Sequence, residues 1–153
     1  MRKLLLLSGA LIGFALITGS VTQGSPSLKG PGTIRLTALD YSVSFVNRGR
    51  SSRGAGDVVL IRQFLFNKAI RKAPLGHSDL VCTYTGPLAR QCSGTYWLPR
   101  GKIVVAGSLR YRDLFELAVI GGTDLYDNVR GTLTGTKYAK KPRREIVFFR
   151  LVV

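Results

Sequence analysis

Residues 116–131 read Glu-Leu-Ala-Val-Ile-Gly-Gly-Thr-Asp-Leu-Tyr-Asp-Asn-Val-Arg-Gly. The segment opens with an apolar run, which predicts a strand over residues 116–121. Glycine, aspartate and asparagine residues then follow, as they do in the connections between strands. A second strand is predicted over residues 129–138, directly after this connection. The segment therefore indicates a β protein.

The rest of the chain carries six more segments with the composition of strands. They cover residues 33–47, 57–67, 80–85, 91–98, 102–111 and 145–153. Apolar residues alternate in the first of these, but the alternation slips near Leu39 and Asp40, which predicts a bend or a β-bulge there. Pro74 and Gly76 predict a loop over residues 68–78. No segment has a helical period, so the sequence predicts an all-β fold of eight strands, and both a sandwich and a closed barrel fit this pattern.

Cys82 and Cys92 are the two cysteines of the chain. Gly86 and Pro87 between them indicate a turn, and a hairpin centred on Pro87 places the cysteines directly opposite each other. Such a pair is close enough for a cross-strand disulfide, which an oxidising compartment favours. The alternative is a pair of reduced, buried thiols. A redox role more often shows Cys-x-x-Cys, so we expect a structural disulfide.

The N-terminus has the order of a secretory signal peptide. Arg2 and Lys3 precede an apolar run over residues 4–18, and small and polar residues follow it. This run is shorter than the roughly 20 residues of a membrane-spanning helix, and an uncleaved anchor is the alternative. We therefore expect a secreted protein. The expected organisation is a signal peptide, a linker and a single domain, at residues 1–24, 25–32 and 33–153.

Composition excludes several classes of protein. Apolar residues make up 45% of the chain, which excludes an acidic disordered protein. One histidine and two cysteines cannot build a structural zinc site alone, so no metal is expected. The sequence contains no Gly-x-Ser-x-Gly motif, which disfavours a hydrolase.

The chain is strongly basic, with 23 lysine and arginine residues against 8 acidic residues and a formal net charge of +15. Two clusters in predicted loops and strand ends carry much of it: Arg48, Arg50 and Arg53, and then Lys137, Lys140, Lys141, Arg143 and Arg144. One interpretation is attachment to an anionic membrane or polymer, and the other is solvated loops that keep the protein soluble. The chain lacks the aromatic and basic strand motif of RNA-binding sheets, so no nucleic acid is expected as a partner.

Residues 116–131 resemble the hallmark of the dirigent and allene oxide cyclase barrels. That hallmark is an apolar strand, Gly-Gly-Thr-Gly, an aromatic residue, and Ala-Arg-Gly opening the next strand. The matching residues are Gly121, Gly122, Thr123, Tyr126, Arg130 and Gly131. Two residues depart from it: Asp124 replaces the last glycine and Val129 replaces the alanine. Because aspartate tolerates a left-handed backbone, we expect the turn to survive.

The resemblance extends over about residues 57–153 and implies an eight-stranded antiparallel β-barrel with a central apolar cavity. It also implies an assembly of two or three copies. The activities known in this family are stereoselective coupling, cyclisation of an epoxide and Diels–Alder ring closure. Each confines a reactive apolar molecule in one geometry, and none requires a cofactor.

The function that this resemblance implies is a secreted barrel that binds an apolar small molecule and steers its coupling or cyclisation. Two alternatives stand beside it. The first is a non-catalytic exported protein whose basic face binds an anionic polymer or membrane. The second is a cyclase of secondary metabolism.

Six residues are candidates for the site. By their match to the family, Arg130 and Glu116 are candidate catalytic residues, as a donor to a substrate oxygen and its acidic neighbour. Asp57 is a candidate cavity acid that transfers a proton. The candidates for ligand contact are Tyr126, Phe64 and Phe148. For each residue the alternative is structural: an ion pair, a turn residue that satisfies backbone amides, or packing.

Overall fold

The structure is a computed structural model that describes residues 32–48, 53–67, 73–110 and 113–152. Its eight strands are β1 (Gly32–Val46), β2 (Val58–Asn67), β3 (Gly76–Tyr84), β4 (Arg90–Leu98), β5 (Gly101–Leu109), β6 (Leu114–Gly122), β7 (Arg130–Lys140) and β8 (Arg143–Val152). Each strand pairs antiparallel with the next, and β8 pairs with β1 to close a barrel. The predicted eight-stranded antiparallel barrel is therefore confirmed.

The predicted signal peptide, and all of the predicted linker except Gly32, lie outside the described residues. Within the ranges that are described, no helix is both long enough and apolar enough to cross a membrane.

Strand β8 shows how the sequence builds the interior. Val147, Phe149 and Leu151 are buried, whereas Arg150 between two of them is exposed. The same alternation in the other strands turns apolar side chains into the lumen, where each contributes about 1.5–3 kcal/mol on burial. The Phe149 ring packs edge-on against Tyr96 of β4, with centroids 5.1 Å apart. The lumen is thus filled largely by side chains.

The predicted β-bulge in β1 is present, because the register with β2 shifts between Asp40 and Ser42. The shift reverses which residues of β1 face inward. Ala38 and Asp40 face the lumen before it, and Val43, opposite the buried Ile61, does so after it. The bulge therefore turns Val43, and not Ser42, toward the interior of the barrel.

The seam between β1 and β8 ends before β1 does. Its last pair joins Leu39 to Arg144, so the remainder of β1, through Val46, pairs only with β2. One end of the barrel consequently has an unpaired seam beside the connection between β7 and β8.

The two ends of the barrel differ. The connections β1–β2, β3–β4, β5–β6 and β7–β8 lie at one end, which we call the mouth end. The other connections lie at the opposite end, which we call the motif end because residues 123–129 close it. There the chain forms a short 3-10 helix, Asp124–Tyr126, and the buried Tyr126 packs into the core. Asp124 adopts φ 56°, the left-handed backbone expected of aspartate in this turn.

The predicted loop over residues 68–78 is wrong at its C-terminal end, because β3 already begins at Gly76. Gly76 pairs with Leu65, and a Cβ atom on it would lie 2.0 Å from the carbonyl oxygen of Trp97. Only a residue without a Cβ permits this approach of the β4 backbone. The glycine therefore marks close contact between strands and not a turn.

The predicted disulfide is confirmed. Cys82 and Cys92 lie opposite each other on β3 and β4, with their Cα atoms 4.0 Å apart, and they are bonded. The Thr85 N–H donates to the Ala89 carbonyl at 3.0 Å and closes the hairpin between these strands. The bridge therefore fixes the register of the two strands at the mouth end.

Replacing both cysteines by alanine is expected to lower the free energy of unfolding by about 2–3 kcal/mol, since the bridge closes a short loop in the unfolded chain. Urea unfolding of the oxidised wild type and of Cys82→Ala/Cys92→Ala measures the difference. A thiol reductant should bring the wild type down to the stability of the variant and leave the variant unchanged. Equal stability of the oxidised wild type and the variant would contradict a structural role for the bridge.

Candidate functional site

The structure places Glu116 and Arg130 on the outer face of the barrel. Glu116 is exposed and lies opposite Thr134 of β7. Arg130 is exposed as well, and its Nη1 donates to the Val129 carbonyl at 2.9 Å. In the described part of the chain, no hydrogen bond or ion pair joins Glu116 to Arg130. The catalytic roles of Glu116 and Arg130 stay predictions, and both residues lie outside the lumen.

Asp57 is buried at the start of β2, where it organises the connection from β1. Its two carboxylate oxygens accept hydrogen bonds from the backbone N–H groups of Arg48 and Gly54, each at 2.9 Å. A carboxylate that accepts from backbone amides stabilises a turn. The structure thus places Asp57 in the position of a turn residue.

The three aromatic candidates lie apart from one another. Tyr126 is buried at the motif end, and burial raises the pKa of its hydroxyl. Phe64 lies on the outer face and stacks on Tyr41, with centroids 4.2 Å apart. Phe148 also faces outward, with the Arg150 guanidinium 5.7 Å from the centre of its ring. Ligand contact by these residues stays a prediction.

A different set of polar side chains meets inside the barrel. These residues, which we call the lumen cluster, are Asp40, Gln63, Ser78, Tyr96, Arg143 and Glu145. They come from β1, β2, β3, β4 and β8, so barrel closure is what assembles them. Polar groups at the centre of an apolar barrel are costly unless they are partnered, which makes the cluster the candidate functional site.

Gln63 connects the members of the cluster. Its Nε2 donates to Asp40 Oδ1 at 2.7 Å and to Glu145 Oε2 at 3.1 Å. Its Oε1 accepts from the Ser78 hydroxyl at 3.0 Å. Both amide hydrogens and the amide oxygen are thereby used, so Gln63 holds the two acids at fixed positions.

Arg143 supplies the positive charge of the cluster. Its Nε donates to Glu145 Oε1 at 2.9 Å, and its Nη2 contacts the same oxygen. The same Nε lies 3.4 Å from Asp40 Oδ2. Two carboxyl groups thus share one guanidinium, and Asp40 Oδ2 remains buried without a hydrogen-bond partner.

Burial favours the neutral, protonated forms of two members of the cluster, Asp40 and Tyr96. Burial raises the pKa of Asp40, and the charge of Glu145 adds to that effect, against the Gln63 hydrogen bond and Arg143. Burial, followed by the charges of Glu145 and Asp40, also raises the pKa of Tyr96. The Tyr96 hydroxyl is therefore a neutral phenol, and Asp40 keeps its proton to higher pH than an exposed aspartate.

Two neighbouring spaces lie between the mouth end and the cluster. The inner one, about 20 Å³, is lined by four members of the cluster, Gln63, Tyr96, Arg143 and Glu145, together with Arg90 and apolar residues. The outer one, about 80 Å³, is the mouth pocket, and Ile61, Arg90 and Arg143 border both spaces. The other residues that line the mouth pocket are Val43, Phe45, Arg53, Val59 and Tyr84, and Arg53 is the one charged residue among these five.

Sequence reasoning missed the lumen cluster. A signal existed for Gln63, which occupies an inward position of a strand whose other inward positions are apolar, and for Glu145, which is in phase with the inward apolar residues after it in β8. Arg143 gave no such signal, since it stands in a basic run. Among the described residues, no three His, Cys, Asp or Glu side chains form a group that could hold a metal ion.

No family model matches the chain, and no curated protein matches it. Solved structures do match, and they define its class: the chain has the dirigent-like barrel fold, which dirigent proteins share with Diels–Alder cyclases. The resemblance carried by residues 116–131 is thereby confirmed for the fold.

Three solved structures illustrate the likeness. A pyocyanin demethylase is 22% identical with a TM-score of 0.69, over 79% of this chain and 100% of its own. A pterocarpan synthase dirigent protein is 16% identical with a TM-score of 0.63, over 80% and 94%. A Diels–Alderase from Streptomyces koyangensis is 14% identical with a TM-score of 0.65, over 78% and 63%. Identities this low establish a shared fold.

Proposed function

We propose that this barrel binds an apolar small molecule through its mouth end and steers coupling or cyclisation of that molecule without a cofactor. The observation that carries the proposal is the buried Asp40 Oδ2, which has no hydrogen-bond partner. Nearly all buried polar atoms are hydrogen-bonded, so we assign to a ligand this oxygen atom, which faces Arg143 Nε at 3.4 Å without a hydrogen bond. An oxygen atom of the bound molecule supplies the missing partner.

Asp40 and Tyr96 are the proposed donors to that oxygen. A protonated Asp40 and a neutral Tyr96 phenol stabilise negative charge that develops on a carbonyl or phenolic oxygen, because both donate in a site from which water is largely excluded. Arg143 adds a positive charge next to Asp40. The apolar wall then restricts the carbon skeleton to one geometry, which is how orientation accelerates one ring closure over others.

The proposal requires the mouth pocket to enlarge. Its 80 Å³ is smaller than the roughly 150 Å³ of a cavity that binds benzene. Phe45 forms its outer wall, with the Arg53 guanidinium 5.3 Å from the centre of its ring. Because this part of β1 has no partner on β8, Phe45 can move outward without breaking the β1–β8 ladder. The proposed entry lies between Phe45 and the β7–β8 connection.

The comparisons support this class of function. A pterocarpan synthase dirigent protein, a Diels–Alderase and a cyclase that catalyses a [4 + 2] cycloaddition share the fold. In this chain the lumen cluster offers hydrogen-bond donors at the place where such a barrel would hold a molecule.

Binding of 2-acetylnaphthalene to the full chain tests the proposal, because this apolar molecule has one oxygen that only accepts hydrogen bonds. Calorimetry at a series of pH values measures it. Since protonated Asp40 is the donor, we expect binding to weaken as the pH rises from the ordinary aspartate value of 3.8 through the raised pKa of Asp40. Naphthalene, which lacks the oxygen, should bind more weakly and without this pH dependence.

Two variants distinguish Asp40 from other acids. Asp40→Asn provides an amide donor at every pH, so its binding of 2-acetylnaphthalene should not change over that range. Asp113→Asn removes a mostly exposed acid at the same end and should keep the pH dependence of the wild type. The proposal is wrong if the wild type does not bind 2-acetylnaphthalene, or binds it equally at every pH.

We also propose that the protein acts after export. The support is the basic, apolar and then small-residue order of residues 1–24, together with the disulfide. N-terminal sequencing of protein recovered from the medium of expressing cells tests this: a start near residue 25 supports export, and retention of Met1 inside the cell overturns it.

A further inference from the structure

Large apolar side chains are exposed at every connection of the mouth end. They are Val46 before β1–β2, Leu88 in β3–β4, Leu114 after β5–β6 and Tyr138 before β7–β8. Leu88 stands at the tip of its hairpin with 77% of its surface exposed, the largest value for a large apolar side chain in the described ranges. Exposed apolar side chains thus occur at all four connections of this end of the barrel, and we call these four residues the rim.

Basic side chains accompany this rim. Arg48 and Arg53 follow Val46, Arg110 precedes Leu114, and Lys140 and Lys141 follow Tyr138; all five cations are exposed. No ion pair joins any of the five to a carboxylate in the described part of the chain.

The acids near the rim are already engaged. Asp57 accepts from backbone amides, and Asp113 pairs with Lys137 at 3.3 Å. Asp40 and Glu145 share Arg143 inside the barrel. The mouth end therefore presents a net positive charge to solvent, interleaved with apolar tips.

We propose that the mouth end docks on the surface of a bilayer that contains anionic phospholipid. Cations near such a surface are attracted to its headgroups, and apolar side chains at the same depth enter the boundary between headgroups and acyl chains. A soluble polyanion would engage the cations and leave Val46, Leu88, Leu114 and Tyr138 in water. The apolar tips are the observation that favours a membrane over a polymer.

Docking in this orientation places the mouth pocket against the lipid. Val43 and Phe45 line that pocket and stand on the same strand as Val46 of the rim. An apolar molecule dissolved in the bilayer would then reach the pocket without crossing water. The docking proposal itself does not depend on what the lumen binds.

Co-sedimentation of the full chain with vesicles tests the docking. We expect binding to vesicles of equal parts phosphatidylcholine and phosphatidylglycerol in low salt, and weak binding to phosphatidylcholine alone. Lys140→Gln/Lys141→Gln should weaken binding to the anionic vesicles about 30-fold, since each cation near an anionic surface contributes a factor of about five. Arg100→Gln/Lys102→Gln, an exposed pair at the motif end, should bind like the wild type.

Leu88→Gln separates a membrane from a polymer, because it removes the apolar tip without changing the charge. Loss of a leucine that is 77% exposed should not impair folding, which a thermal unfolding scan verifies, but it should weaken vesicle binding at least about tenfold. Ile120→Gln is the matched control, because Ile120 is exposed on β6 toward the motif end. Heparin binding should be equal in the wild type and Leu88→Gln.

Three results overturn the docking proposal. One is failure of the wild type to sediment with anionic vesicles in low salt. Another is vesicle binding that Leu88→Gln leaves unchanged while the lysine variant weakens it, which indicates a general polyanion surface. The third is equal weakening by the mouth-end and motif-end variants, which indicates attraction by the overall charge alone.

Discussion

Arg143→Met is expected to lower the free energy of unfolding by about 3 kcal/mol at neutral pH. The substitution leaves the Asp40 and Glu145 carboxylates in the lumen without the guanidinium that they share. The side chains of these two acids are only 7% and 4% exposed, so water cannot take the place of the guanidinium. Methionine keeps the unbranched stem of the side chain and removes the guanidinium, so the loss reports the charge and the hydrogen bonds of that group. Urea unfolding measures it.

The loss should depend on pH in one direction. Without Arg143 the pKa of Asp40 rises further, because burial and the charge of Glu145 are less opposed. An acid with a higher pKa in the folded state than in the unfolded state contributes stability that is complete below its unfolded pKa, near 3.8 for Asp40, and is lost as the pH rises through the folded value. The gap between wild type and Arg143→Met should therefore be small in acid and widen toward neutrality.

A variant with all three charges removed separates charge from packing. Asp40→Asn/Arg143→Met/Glu145→Gln keeps the sizes of the two acidic side chains and the unbranched stem of Arg143, and replacing a whole buried ionic group often costs little. We expect it to regain most of the stability that Arg143→Met loses. Lys140→Met, which removes an exposed cation nearby, should change stability by less than about 0.5 kcal/mol. Failure of the triple variant to recover would show that packing around Arg143, and not its charge, is what matters.

The features of the fold that the sequence predicted are determined by residues that lie close together in the chain. The bulge follows from a slip in the alternation near Asp40, and the disulfide from the turn between Cys82 and Cys92. The choice of a barrel over a sandwich depends on pairing of β1 with β8, two strands at opposite ends of the chain. No local pattern encodes that pairing, and here the resemblance to a known barrel supplied it.

The candidate site was missed for the same physical reason. Asp40, Gln63 and Glu145 come from three strands, and their contacts exist only once the barrel has closed. Family motifs directed attention to Glu116 and Arg130, which the structure places on the outer face. A polar residue at an inward position of an apolar strand was the available signal, and it identifies a position but not its partners.

Gly122→Ala is expected to destabilise the barrel by about 3 kcal/mol, which corresponds to roughly 10 °C in the midpoint of thermal unfolding. A Cβ atom at Gly122 would lie 2.4 Å from the Tyr126 carbonyl oxygen and 2.6 Å from that of Lys102. Both are backbone atoms, so neither can rotate away. The connection carrying Tyr126 has to move outward, and with it a buried ring that packs into the core at the motif end.

Gly121→Ala is the matched control, because the two glycines are adjacent in the same strand and motif. The nearest atom to a Cβ at Gly121 is Arg130 Nη1, 3.7 Å away, which is an ordinary contact with a flexible side chain. Its backbone is not left-handed, so alanine there should be neutral or stabilise by up to about 1 kcal/mol through the unfolded state. Thermal unfolding of both variants decides between two explanations of the Gly-Gly pair. A large loss only at Gly122 means that close backbone packing requires one glycine. Equal losses at both would mean that the pair is needed for flexibility, and that the contact between β6 and the Tyr126 connection does not hold the motif end closed.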